Sequence, residues 1–301
     1  MNQKGVTAII VAYLPNDRVI VDAIESICEQ VDSVLIVDNT PGGSDVFQKE
    51  NFLTGKKNVG IISLSKNLGI AAAQNIGIRR ALSDGAEFIL LSDQDTRYPG
   101  DYVSRMLEAY FVLAERKKIA AIVPNFSELN RGGVKQGFVL FAGIFSKRIY
   151  PQTGCREITQ AIASGMIVPS DVFRVVGTMD EELFIDWVDL EWCWRARKKG
   201  YAIIGCADVV IEHSLGDEVK RLGAQVYPMR SPLRHYYIVR NAVHLALRNP
   251  YITLGMRVNI FAKSIKYIVG FTLLGRPRHK HFLYSLKGFC HGVVRRLGSY
   301  S

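Results

Sequence analysis

No stretch of this 301-residue sequence is apolar for long enough to cross a bilayer. The longest uncharged run in its most hydrophobic segment, 267–275, falls far short of the roughly 20 residues that a spanning helix needs. The opening Met1-Asn-Gln-Lys-Gly leads straight into a strand-like segment, without the apolar region and cleavage site of a secretion signal, so none is expected. The five cysteines (Cys28, Cys155, Cys193, Cys206 and Cys290) include no Cys-x-x-Cys pair and are odd in number. That argues against a disulfide framework or a zinc knuckle and for a reducing compartment. Repeats, low-complexity tracts, a Walker phosphate loop and a Gly-x-Gly-x-x-Gly fingerprint are all missing. From Val219 to the end there is no Asp or Glu, against 15 Lys and Arg. With 15 of the 38 basic residues there, the first 218 residues hold 23 basic and 28 acidic side chains, a net of −5. An acidic body with a strongly basic last third points to contact with an anionic surface. No nucleic-acid-binding module accompanies the basic third, so the expected partner is an anionic membrane surface and not nucleic acid.

What is present is ample apolar material, 48% of residues, in a pattern that changes twice along the chain. Short β-rich runs at 7–13, 33–38, 60–64, 87–92 and 120–124 are interleaved with helical stretches at 17–30, 71–83 and 99–118. Continuous hydrophobic strands separated by helices predict an α/β fold with a mostly parallel sheet covered on both faces. Asp17 occupies an N-cap position and Pro99 suits a first helical turn. The middle, 125–207, is less regular, with glycine turns at Arg131-Gly-Gly, Ala142-Gly and Ser164-Gly, then a helix over 188–199 ended by Gly200. A strand at 207–212 leads to His213. Helices with much apolar surface follow at 232–248, 252–274 and 281–297, beside the cationic cluster Arg276-Pro-Arg-His-Lys-His. The expected division is a catalytic domain over 1–230 and a helical, basic, membrane-associating extension over 231–301.

Asp93-Gln94-Asp95 directly follows the apolar run Phe88-Ile-Leu-Leu-Ser92. Ligands of open α/β sheets bind beyond the carboxyl ends of the strands, so these two acids face a candidate site. Two carboxylates so close together suit a hard divalent cation, which fills its other positions with phosphate oxygens. Asp38 and Tyr13 end two further strands. A carboxylate able to accept from a pyrimidine N3–H beside a stacking ring would make a nucleotide pocket. Asn67-Leu-Gly69-Ile-Ala-Ala-Ala-Gln74-Asn75 is a turn entering a helix, where small residues and free N–H groups suit close approach by phosphate or sugar.

Tyr13, Asp38, Asn67-x-Gly69 and Asp93-x-Asp95 occur in one order, followed by Leu183-Phe-Ile-Asp-Trp-Val-Asp-Leu-Glu-Trp-Cys-Trp-Arg195 and Ile211-Glu-His-Ser-Leu-Gly216. In these features, across about residues 6–250, the chain resembles the inverting glycosyltransferases of family 2, which have the GT-A fold. It is most similar to the bacterial rhamnosyltransferases of O-antigen and related polysaccharide synthesis. The family's usual Glu-Asp-x-Asp-x-Cys-x-Arg aligns on Cys193 and Arg195, with Val188 in place of the Glu. The resemblance implies Asp189 as catalytic base, with Asp186 as the alternative. It implies Tyr13, Asp38, Asn67, Gly69, Gln74, Asp93, Ser164, Gly165, Glu191 and Arg240 around the donor, and Mg²⁺ or Mn²⁺ held by Asp95, Asp93 and His213. It further implies dTDP-rhamnose as donor, a lipid-linked saccharide as acceptor, and a cytoplasmic protein peripheral to the inner face of the bacterial plasma membrane. A UDP-hexose or furanose donor is the nearest alternative. A metal-dependent nucleotidyltransferase would want a Gly-rich loop with a basic residue near the N-terminus, where Ile10-Val-Ala-Tyr-Leu-Pro has none.

Overall fold

A computed structural model describes the chain apart from residues 1–4, 50–51, 53–55, 129–133, 214–217, 223–224 and 301. The apolar runs of the first half form a parallel sheet. β1 (Val6–Ala12), buried at every residue, pairs with β2 (Ser33–Asp38), and β2 pairs with β3 (Val59–Ser63). On its other side β1 pairs in parallel with β4 (Phe88–Asp93). The intervening helices are α1 (Asp17–Ile27), the single turn α2 (Asp45–Gln48) and α3 (Ile70–Ser83); α4 (Tyr102–Ala114) follows β4 after the two-residue β5 (Thr96–Arg97). Strand side chains alternate between faces, so Ile9, Val11 and Leu91 pack with Ala73 and Ile78 of α3, while Ala8, Ile10 and Leu90 pack with Ile20 of α1 and Met106 of α4. This is why these strands are apolar at every position: both faces are covered. The α1 N-cap is Asn16, whose side chain accepts from Arg18 N and Val19 N, and not Asp17 as the sequence implied.

The middle third holds more sheet than its irregular pattern predicts. β6 (Ile119–Glu128), β7 (Val134–Lys135) and the hairpin β8 (Phe138–Ala142)–β9 (Phe145–Ile149) lead to β10 (Cys155–Ile158) and β11 (Met166–Pro169). The helices α5 (Ser170–Val176) and α6 (Val188–Lys198) precede β12 (Ala202–His213). The main sheet runs β10-β12-β6-β11-β4-β1-β2-β3, with β11 and β10 antiparallel to their neighbours. This mostly parallel, mixed sheet with flanking helices has the GT-A architecture. The β10–β12 register sets Cys155 opposite Cys206, with Cα atoms 4.1 Å apart, and the two form a disulfide. This corrects the expectation from cysteine spacing, which carries no trace of a pairing created by strand register across 51 residues. The Arg131-Gly-Gly turn and Ser214-Leu-Gly216 lie outside the described residues.

After the hairpin β13 (Glu218–Leu222)–β14 (Gln225–Met229) come the three expected helices α7 (Pro232–Arg248), α8 (Leu254–Leu274) and α9 (Arg278–Val294). Ser231 and Thr253 cap the first two, and Pro232 takes the first turn of α7, where its missing N–H costs nothing. α7 packs against both α8 and α9 and also against the body. The expected boundary at 230/231 marks a change of composition, yet many contacts cross it.

Candidate active site

The acids of the Asp-x-Asp segment stand at the carboxyl end of β4, where Asp93 and Asp95 are both half-buried. Gln94 between them fastens a neighbouring strand end: its Oε1 accepts from Tyr13 N at 2.7 Å and its Nε2 donates to Tyr13 O at 3.3 Å. Tyr13 is thereby held beside the acids with 43% of its surface exposed. Asp38 is only 1% exposed, and its two oxygens accept from Thr40 N and Ser44 N. It thus shapes the loop over 40–44, and its carboxylate does not reach the surface. Asn67 Oδ1 accepts from Gly69 N and from Asn39 Nδ2, while Asn39 Oδ1 accepts from Leu68 N, so an Asn pair sets the turn into α3. The role of Asn39 is not legible without that turn. Ser164, buried, shares a 2.6 Å hydrogen bond with the Thr96 hydroxyl, and Gly165 N donates to Leu91 O. These bonds tie the Ser-Gly turn to the loop that carries the acids.

Asp189 enters through an unusual loop. Phe184, Asp186 and Trp187 all have positive φ (66, 61 and 70°), a conformation that costs non-glycine residues of order 1–3 kcal/mol each. Such a loop persists only where its surroundings over-determine it, and here α7 supplies the restraint. Asn241 Nδ2 is within hydrogen-bond reach of Leu183 O, Ile185 O and Asp186 O at 2.8–3.0 Å. The Arg240 guanidinium donates to Leu183 O, Glu182 O and Gly298 O. Trp187 Nε1 donates to Ile238 O, and Phe184 stacks on Tyr237 at 4.9 Å. On the other side Phe184 presses on Gly69 (φ 85°), where a Cβ would come within 2.6 Å of the ring and of the Phe184 carbonyl. The loop discharges into α6, with Asp189 in its first turn.

Asp189 sits half-buried, with Oδ2 accepting from Ala163 N at 3.1 Å and Oδ1 from Leu190 N at 2.9 Å. Burial raises its carboxyl from the ordinary aspartate range to about 7, and the nearby Asp93 adds to the effect against those two backbone donors. Asp186 faces the same cleft, but both its oxygens are engaged by Arg234 at 3.2 Å. The cleft holds about 530 Å³ and is lined by Gln74, Asp93, Asp186, Asp189, Arg234 and Lys263 among others. Gln74 is 4% exposed and its Oε1 has no hydrogen-bond partner among the described residues, leaving an acceptor for a ligand hydroxyl.

Three expected donor ligands are not brought here: Asp38, whose carboxylate is turned into its own loop, and two residues behind the cleft. Arg240 is completely buried behind the loop, with its guanidinium given to main-chain carbonyls, and Glu191 is locked in a two-point ion pair with Arg195 on the inner side of α6. Both brace the fold, and the sequence motif could not distinguish a brace from a ligand. The His213 backbone pairs with Thr96, next to the acids, but its side chain lies outside the described residues. Among the described residues no group of three or more His, Cys, Asp or Glu side chains converges as a metal site. Asp93 and Asp95 are two carboxylates of the kind a hard divalent ion takes, and such an ion would need its remaining oxygens from a ligand and water.

Comparison with known proteins places the chain in a family and its fold among solved structures. The family model for glycosyl transferase family 2 matches residues 7–163. A dTDP-rhamnosyl transferase, RfbF of Shigella flexneri, is 32% identical over 290 residues, covering 95% of each chain. The structure of S. aureus TarS 1–349 in complex with UDP-GlcNAc superposes with a TM-score of 0.60 at 17% identity, covering 97% of this chain and 82% of that one. GalNAc-T7 with UDP, GalNAc and Mn²⁺ gives a TM-score of 0.58 at 12% identity, over 98% of this chain and 58% of that one. At such identities the two structures share the fold with this chain.

Proposed function

The chain belongs to glycosyl transferase family 2, and from that membership we propose that it is an inverting rhamnosyltransferase acting on dTDP-rhamnose. The acceptor is a hydroxyl of a lipid-linked saccharide, in the assembly of a cell-surface polysaccharide at the inner face of the plasma membrane. The donor choice rests on likeness to a dTDP-rhamnosyl transferase across nearly the whole chain. The observation that carries the chemistry is a single carboxylate, Asp189, raised to about 7 and facing Asp93 across one cleft.

Inversion needs one in-line displacement and so one base. Asp189 takes the proton of the acceptor hydroxyl as its oxygen attacks the anomeric carbon. Its raised affinity for protons suits it to that step near neutral pH, and its bonds to Ala163 N and Leu190 N fix its direction. Tyr13 offers a stacking surface for the base of the nucleotide, and Gln74 Oε1 an acceptor for a sugar hydroxyl. Mg²⁺ or Mn²⁺ on Asp95 and Asp93 would neutralise charge on the departing diphosphate.

A donor panel tests the reading: dTDP-rhamnose against common UDP- and GDP-sugars, each with Mg²⁺, Mn²⁺ or EDTA. The expected result is transfer from dTDP-rhamnose that EDTA abolishes. Preference for a UDP-sugar would overturn the donor, and full activity in EDTA the metal.

A further inference from the structure

Besides its carboxylates the cleft carries the cations Lys147, Arg148 and Lys263, on elements other than those that bear Asp93 and Asp95. Lys263, on the inward side of α8, places its Nζ 5.7 Å from the centre of the Phe141 ring on β8. Arg148 on β9 spends one guanidinium nitrogen on Gln136 O and Gln136 Oε1, a neutral partner. Lys147 stands beside it, and all three line the cleft that holds Asp93 and Asp189. Among the described residues no carboxylate pairs with Lys263 or Arg148. The Lys263 ammonium is held below its ordinary range by burial and by the charges of Arg148 and Lys266, all three effects disfavouring the cation. Lys263 is half-buried beside like charges while Arg148 and Lys147 are exposed next to it, so a bound anion would relieve the repulsion that Lys263 meets. The placement is also built. Asn259 of α8 donates to Ile144 O of the β8–β9 turn, which fixes the helix against the hairpin.

In the reading above the donor's diphosphate lies on Asp93 and Asp95 at the β4 end, whereas these cations come from α8 and the hairpin. The second substrate remains. α8 carries a further clue in its outward face: Leu254, Val258, Phe261, Ile265, Val269 and Leu273 recur every three or four residues and are all exposed. A ligand that bears an anionic group next to a long apolar chain would meet cations on one side of α8 and apolar side chains on the other.

We propose that Lys263 and Arg148, with Lys147, form an anion subsite that grips a diphosphate on the acceptor, at the lip of the cleft where α8 turns its apolar face outward. This rests on the transferase reading only for the word acceptor; the subsite itself is tested by binding. Geranyl diphosphate, inorganic pyrophosphate and geraniol are titrated into the full-length protein by calorimetry, with Mg²⁺ and saturating dTDP present so that the donor's diphosphate site is filled.

The expected result is binding of geranyl diphosphate in the presence of dTDP, weakened about tenfold or more in Lys263→Met and in Arg148→Gln, with no comparable binding of geraniol. Tighter binding of geranyl diphosphate than of pyrophosphate assigns part of the grip to the apolar chain, and equal binding assigns it to the anion alone; both support the subsite. Loss of binding when dTDP is added overturns the proposal, because the cations then serve the donor. So does binding that neither substitution changes in variants that melt like the wild type. Because no turnover is needed, failure of dTDP-rhamnose as donor would leave this result intact and readable.

Discussion

Asp189 answers to two demands that pull in opposite directions. A base must be both close to its substrate and willing to hold a proton, and half-burial beside Asp93 gives it that willingness. The same burial makes the charged form a burden on the fold. With the folded carboxyl near 7 and the unfolded one near 3.8, the native state binds the proton more tightly between those values, so stability falls as pH rises through this window and is lowest above 7. Asp189→Asn should therefore lower kcat by roughly 10²–10⁴ while melting higher than the wild type at pH 8, by roughly 2 kcal/mol, with the gain vanishing near pH 4. Thermal melts at the two pH values check the second part. In the wild type, kcat/KM should rise through about pH 7 as the base ionises. A profile flat from pH 5 to 9, or full activity in the Asn variant with loss in Asp186→Asn, would move the role to Asp186. Asp95→Ala should abolish transfer and the dependence of donor binding on Mg²⁺, readable by calorimetry with dTDP. The position of Asp93 and Asp95 at a strand end was legible because the continuous apolar run before them marks a buried strand. Arg240 and Glu191 were misread because a motif records which residues recur and not whether they face the ligand or the chain.

The loop over 184–187 and helix α7 form one working unit, although some 45 residues separate them. Three positive-φ residues in four store strain that local sequence would release, and α7 opposes the release with Asn241, Arg240 and the Tyr237 ring. Asn241→Ala removes up to three bonds to loop carbonyls in one step. It should cost about 2–3 kcal/mol of stability and lower kcat at least tenfold, with dTDP affinity within about twofold of wild type, because the nucleotide end of the cleft is untouched. Unchanged kcat in a destabilised variant would reduce α7 to scaffolding. Little of this unit was readable from the chain. The parallel strands and long helices were, since continuous apolar runs and 3.6-residue periodicity survive without tertiary context. The hairpin β8–β9 and the strands β10 and β11 were not: each has five residues or fewer, with β9 almost fully exposed and β11 fully buried, so neither shows alternation. The disulfide between Cys155 and Cys206 was hidden for the same reason, as it depends on a register that only the assembled sheet defines.

The molecule as a whole is asymmetric in charge and in apolar exposure, and the two asymmetries fall on the same third of the chain. The basic excess after Val219 was plain from composition. That the exposed residues of α8 and α9 would face outward was not, because an amphipathic helix has the same period whichever way it faces. No helix among the described residues is long and apolar enough to cross a membrane. We propose that a surface joining Leu254, Val258, Phe261 and Val269 to the cations of the last third meets the interface of an anionic bilayer, where both terms act together. The protein should therefore sediment with phosphatidylglycerol vesicles but not with phosphatidylcholine vesicles. Binding should weaken when salt rises from about 0.05 to 0.5 M, as the Debye length shrinks from well over 10 Å to a few ångström. The paired change Leu254→Asp with Val269→Asp replaces two exposed apolar side chains by acids in that surface. It should weaken binding at low salt at least tenfold, since each lost burial is worth on the order of 1 kcal/mol and each new charge is repelled. Because both positions point away from the fold, the melting temperature should stay within a few degrees of the wild type's. Equal sedimentation of the double variant and the wild type would remove α8 from the membrane contact and leave the basic cluster around Arg276 and Arg278 as its seat.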